Sequence, residues 1–96
     1  MTFQIVLTDE AKEAYDGLQT SDPGKHKKVK KTLGYMETNI RHPGLHTHEY
    51  SSLEGPKKEK VFEAYVENKT PGAYRVFWYF GPEQGQITVI AITPHP

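Results

Sequence analysis

One cation stands in the most apolar part of the chain. Arg75 interrupts the run Ala73-Tyr74-Arg75-Val76-Phe77-Trp78-Tyr79-Phe80, and a guanidinium among aromatic and β-branched side chains needs an anion beside it. On a strand, Arg75 shares a face with Phe77 and Tyr79, and across the sheet with Glu63 and Tyr65. A cross-strand pair with Glu63 is the structural reading; a contact to a bound phosphate is the functional one. Three imidazoles crowd a short segment at His42, His46 and His48. His46-Thr47-His48 would suit Zn²⁺ on one strand face, but no Cys and no further ligand at an evident spacing accompany it, so no metal is expected. His48 is better read as a hydrogen-bonding or proton-moving group. His95, next to the C-terminus, is either a second proton carrier or a frayed end. Residues 25–31 hold five Lys in seven positions, a nucleic-acid stripe or, more commonly, the solvated back of an amphipathic helix.

The elements that must position these groups follow from periodicity. Ala73–Phe80 and Gln86–Thr93 flank the loop Gly81-Pro82-Glu83-Gln84-Gly85, which predicts a β-hairpin. The second run is apolar on both faces, as a strand inside a sheet would be. Phe3 to Leu7 alternates as a short first strand. Thr8 then caps a helix carrying Ala11, Ala14, Tyr15 and Leu18 on one stripe and ending near Gln19. Asp22-Pro23 starts a second helix, whose Val29, Leu33, Met36 and Ile40 share a narrow arc, and Asn39 to Gly44 ends it. Leu45 to Leu53 is read as a short edge strand and Lys60 to Glu67 as a clearer one. Such an order predicts an α+β fold: a two-helix hairpin on one face of a mostly antiparallel sheet of four or five strands. Tyr74, Trp78 and Phe80 are assigned to the core. Glu63, Tyr65, Arg75, Phe77 and Tyr79 are assigned to an opposite face with nothing to cover it, a binding face.

Composition sets the outer limits. Ninety-six residues make a single domain, 1–96, able to bury roughly 65% of its unfolded surface. Twelve Lys and Arg balance twelve Asp and Glu, so no global field draws the chain towards nucleic acid or membrane. The absence of Cys excludes disulfides and thiolate chemistry. Neither a signal peptide nor a membrane-spanning stretch is evident, which makes a cytoplasmic location the expectation.

Taken in order, LTDEAK after a short strand, a helical hairpin, His42-Pro43-Gly44-Leu45, Ser52-Leu53-Glu54-Gly55, Val61-Phe62-Glu63-Ala64-Tyr65-Val66 and Ala73-Tyr74-Arg75-Val76-Phe77-Trp78-Tyr79 resemble the RelE/ParE toxin superfamily. The resemblance spans nearly the whole chain. Its most specific pieces are Leu53-Glu54-Gly55 and Tyr74-Arg75-Val76 at their relative spacing. It implies a β-α-α-β-β-β-β order with strands arranged 1-5-4-3-2, and a toxin of a type II toxin–antitoxin pair with an antitoxin as partner. One branch of the superfamily cuts mRNA in the ribosomal A site without a cofactor; another inhibits DNA gyrase. In the nuclease branch, the resemblance gives Arg75 the stabilisation of phosphate charge and His95 acid–base work; apart from the resemblance, His46 or His48 is read as near enough to the open face to assist as a proton carrier. Such chemistry at a 2′-OH needs a base, an acid and a cation. Three features depart from that pattern. The chain is neutral rather than basic, Glu63 and Tyr65 stand where some relatives carry Lys, and Pro96 follows His95 where several relatives end in a functional Tyr. The alternative is therefore a non-catalytic module on the same scaffold that binds protein alone: an antitoxin, gyrase or a second copy of itself.

Overall fold

A computed structural model describes residues 2–95. The chain runs β1 (Gln4–Leu7), α1 (Asp9–Ser21), α2 (Pro23–Thr38), a 3-10 turn (Pro43–Leu45), β2 (His48–Glu54), β3 (Lys60–Tyr65), β4 (Tyr74–Phe80) and β5 (Gln86–Pro94). Thr8 caps α1 by accepting from the Ala11 amide at 3.2 Å, with Asp9 and Glu10 in the positive first turn. The helix runs two residues past Gln19. Asp22 both ends it and starts the next: its amide donates to the Leu18 carbonyl at 2.9 Å, and its carboxylate accepts from the Lys25 amide at 3.1 Å. Pro23 occupies the first turn of α2, where a missing N–H costs nothing.

The five strands form one sheet in the order β1-β5-β4-β3-β2. β1 pairs with β5 in parallel, and every other pair is antiparallel. β5 thus lies between two neighbours, as its two apolar faces require. Gly81 and Gly85 take φ of 124° and 80° in the β4–β5 turn, a backbone that side-chain-bearing residues rarely adopt. β2 is the irregular edge, with its register to β3 broken between Glu49 and Glu54.

Both helices pack on one side of the sheet. Ala11, Leu18, Val29 and Met36 meet Ala64, Val76, Trp78, Ile87, Val89 and Ile92 in the main core. Phe80 departs from the core assignment: it is 47% exposed, resting against Phe3, Phe62 and Trp78 at the sheet's end. Alternation correctly placed it beside Trp78, but at the last position of β4 its ring keeps one side open to solvent.

The opposite side carries no helix, yet it is not naked. Val61, Phe77 and Tyr79 form a second cluster with Tyr50, Ile90 and Ala91 packed against it. Glu63, Phe77 and Tyr79 are buried, contrary to the expectation of an open binding face. The cause lies in two irregularities. Tyr50 from the bulged edge strand folds edge-on over Phe77, with ring centroids 4.9 Å apart. A register shift in the β4–β5 ladder pairs Phe77 with Ala91 but Trp78 with Val89, so Ile90 is extra and joins Ala91 on this side.

Asp22 holds both helices at their junction. We expect Asp22→Ala to lower unfolding stability by about 1 kcal/mol, measured by urea denaturation with an unchanged m-value.

Candidate functional site

On the helix-free side, one carboxylate collects three basic side chains. Glu63 sits mid-strand in β3 with its side chain 2% exposed. Register puts His48 of β2 directly opposite it, and His48 Nε2 lies 2.7 Å from Glu63 Oε1. His95 follows β5, where its amide donates to the Ala73 carbonyl at 2.8 Å, and its Nδ1 lies 2.7 Å from Glu63 Oε2. Arg75 of β4 is the diagonal neighbour, with Nε 3.5 Å from the same Oε2. The last contact is Coulombic rather than a formed hydrogen bond, since Nε lacks a properly aligned acceptor. Thus Arg75, His95 and His48, distant in sequence, share one carboxylate. The cross-strand pairing of Arg75 with Glu63 and the gathering of the three proposed site residues are both present.

Arg75 is held from several directions. Tyr65, its direct partner across the ladder, lays its ring 3.7 Å from the guanidinium carbon. Nη1 donates to the backbone carbonyls of Glu67 and Tyr74. Only 5% of the residue is exposed. Glu67 is a second anchor, joining the β3–β4 connection to α2. It accepts from Lys25 Nζ at 3.3 Å, from Lys28 Nζ at 3.2 Å and from the Tyr74 amide at 3.2 Å. Burial alone would raise the Glu67 pKa, but the Tyr74 N–H and the two ammonium groups outweigh it and hold the carboxyl below its ordinary range.

Hydrogen bonding distinguishes the two imidazoles. His48 Nδ1 lies 2.8 Å from the His46 carbonyl, which can only accept. Its Nε2 faces the Glu63 carboxylate, so both ring nitrogens meet acceptors. His95 is bound through Nδ1 alone, which directs that nitrogen at Glu63 and leaves Nε2 outside the cluster's contacts. Their side chains are 46% and 47% exposed, so both rings reach solvent while their carboxylate does not.

The other histidines are used singly. The ring of His42 stacks on Tyr35 and accepts from the Gly44 amide, while His46 lies against Tyr65. Among the described residues no group of three or more His, Asp or Glu could hold a metal ion. Glu63, read from the sequence as a face residue, proves to be the hub. The signal for it was present: a lone acid in an otherwise apolar strand must find a cation if it is buried.

Two helices over a five-stranded sheet with β1 parallel to β5 is a fold this chain shares with solved toxin structures. A YoeB/ParE toxin from Agrobacterium tumefaciens superimposes with a TM-score of 0.72 at 13% identity, covering 98% of this chain and 100% of that one. The archaeal RelE-RelB complex from Pyrococcus horikoshii OT3 gives 0.66 at 15% identity over 98% and 96%. The heterotetrameric YoeB-YefM toxin-antitoxin complex from Staphylococcus aureus gives 0.67 at 14% identity over the full length of both chains. No sequence-family model matches the chain, and no curated protein matches it. None of the helices among the described residues is long and apolar enough to cross a membrane.

Removing the Glu63 carboxylate leaves the buried guanidinium uncompensated. Glu63→Ala should cost about 3–5 kcal/mol in denaturant unfolding. The depressed Glu67 pKa contributes stability that is present above the ordinary carboxylate range and lost as pH falls through the lowered value. Glu67→Gln should therefore flatten the acid limb of a stability-versus-pH curve; an unaltered limb would remove Glu67 from the account.

Proposed function

We propose that the protein is the toxin-like component of a type II toxin–antitoxin pair, acting as a metal-independent endoribonuclease on mRNA at the ribosome. The observation that carries this reading is the pair of half-exposed imidazoles on opposite oxygens of one buried carboxylate. His95 Nε2, with Nδ1–H held by Glu63, is placed to take the proton from a ribose 2′-OH. The 2′-oxygen attacks the adjacent phosphorus and the bond to the 5′-oxygen breaks. His48, its Nε2 kept on Glu63, turns its Nδ1–H from the exposed His46 carbonyl to that leaving oxygen and supplies the proton. The products are a 2′,3′-cyclic phosphate and a 5′-hydroxyl end. Arg75 provides a fixed positive charge beside the developing phosphorane and holds Glu63 in place. Glu63 is a positioning residue, since it acts through the imidazoles. An antitoxin that covers this cluster would silence it. Its expected location is the cytoplasm.

A second reading rests on Arg75 itself. Its burial and its bonds to two backbone carbonyls give it a complete structural role, which supports a non-catalytic module that binds an antitoxin, gyrase or another copy of this chain. Induced expression separates the two. Nuclease action predicts growth arrest by the wild type and at least tenfold recovery of colony formation with His95→Gln or His48→Gln. It also predicts cleavage of ribosome-bound mRNA that persists in EDTA. Arrest of equal depth by all three proteins would select the binding module, and a harmless wild type would end the toxin reading.

A further inference from the structure

The net charge of zero conceals a separation of charge. α1 carries Asp9, Glu10, Glu13 and Asp16 against Lys12 alone, whereas residues 22–48 carry five Lys and Arg41 against Asp22 and Glu37. Within that basic stretch, α2 and the 3-10 turn form one wall of a cavity of about 390 Å³, and the end of β3 forms the other. Lys28, Lys31, Tyr35, His42, Leu45 and Tyr65 are among its lining residues, and no acidic side chain lines it. We propose that this cavity is a subsite for one nucleotide of single-stranded RNA adjoining the bond to be cleaved. The inference rests on the nuclease reading above.

Three observations support the assignment. Tyr65 belongs both to the cavity and to the catalytic cluster: its ring carries the Arg75 guanidinium at 3.7 Å and meets the His48 ring edge-on at 5.9 Å. A ligand in the cavity is therefore one aromatic ring away from the proton-moving groups. Next, Tyr35 and His42 both line the cavity and stack almost parallel, 3.9 Å between centroids at 12°, an aromatic wall against which a base can pack. Finally, the lysines carry surplus charge. Lys28 shares the single carboxylate of Glu67 with Lys25, and Lys31 makes no ion pair among the described residues, its ammonium lying 5.7 Å from the Tyr35 ring centroid. Aromatic faces with ammonium groups and no acid suit a base joined to a phosphate, and the volume suits one nucleotide rather than several. A carboxylate-bearing peptide would use the lysines but leave the aromatic wall without a matching partner.

The test uses the full chain carrying His95→Gln, so that bound RNA is not cut. Fluorescein-labelled ribonucleotide pentamers serve as probes, both intact and with one position made abasic in turn. In this background Lys31→Ala and Tyr35→Leu should each weaken pentamer binding roughly fivefold or more, read by anisotropy. Lys31→Ala should also reduce the slope of log affinity against log salt by about 0.7, one single-strand phosphate contact. One abasic position should weaken binding to the parent yet make no difference to Tyr35→Leu. Because Lys31 is exposed, its removal leaves the fold intact whatever Tyr35→Leu does to stability. Pentamer binding unchanged in both variants overturns the subsite while wild-type cleavage, if seen, preserves the nuclease reading. Failure of the wild type to cleave and of the parent to bind any pentamer overturns both. A Glu-rich peptide that binds with the same dependence on Lys31 and Tyr35, where pentamers do not, overturns the subsite by identifying a protein site.

Discussion

A carboxylate removed from water must be compensated, and the buried side chain of Glu63 is the constraint around which the helix-free face is arranged. Its compensation comes from three other parts of the chain: His48 on β2, Arg75 on β4 and His95 after β5. An uncompensated charge in that position would cost several kcal/mol. Correct assembly of the sheet is therefore coupled to formation of the cluster. The edge strand, the two inner strands and the chain's end all meet at one pair of oxygens. The same contacts that settle Glu63 orient the two imidazoles, so stability and ring orientation are coupled there.

Glu67 extends this arrangement to the other layer. Its carboxylate draws Lys25 and Lys28 of α2 towards the β3–β4 connection, while its carbonyl accepts from Arg75 on the far side of the sheet. A single residue thus ties the basic helix to the guanidinium that balances Glu63. The lysine run, a solvated face in the simplest reading, is in part structural: Lys25 also lies 4.5 Å from the centroid of the Tyr74 ring. Charge balance over the whole chain says little about either site, because electrostatic forces act over about 10 Å, not over a composition.

The solved structures that share this fold do so at 13–15% identity, a level at which the backbone arrangement is common and the side chains are largely not. What the protein does must therefore be argued from its own cluster. The imidazole contacts support proton transfer; the burial of Arg75 supports a structural role for that residue. Both can hold at once, since a fixed charge need not touch a phosphate to stabilise it.

Local order was legible in the residues themselves. Thr8 and Asp22-Pro23 mark the helix starts, because a cap needs only its own next turn. The apolar stripe from Ala11 to Ile40 and the alternation of β3 and β4 assign faces, because helical and strand periods are properties of a short segment. Arg75, His48 and His95 were recognisable as isolated groups of chemical character. Their convergence on Glu63, the covering of the supposedly open side by Tyr50, and the extra residue at Ile90 were decided only by tertiary structure. Each depends on register between strands far apart in the chain. A slip of one residue turns a side chain to the other face without changing any local pattern. Which groups come within hydrogen-bonding distance is set by that register, and no short stretch of sequence contains it.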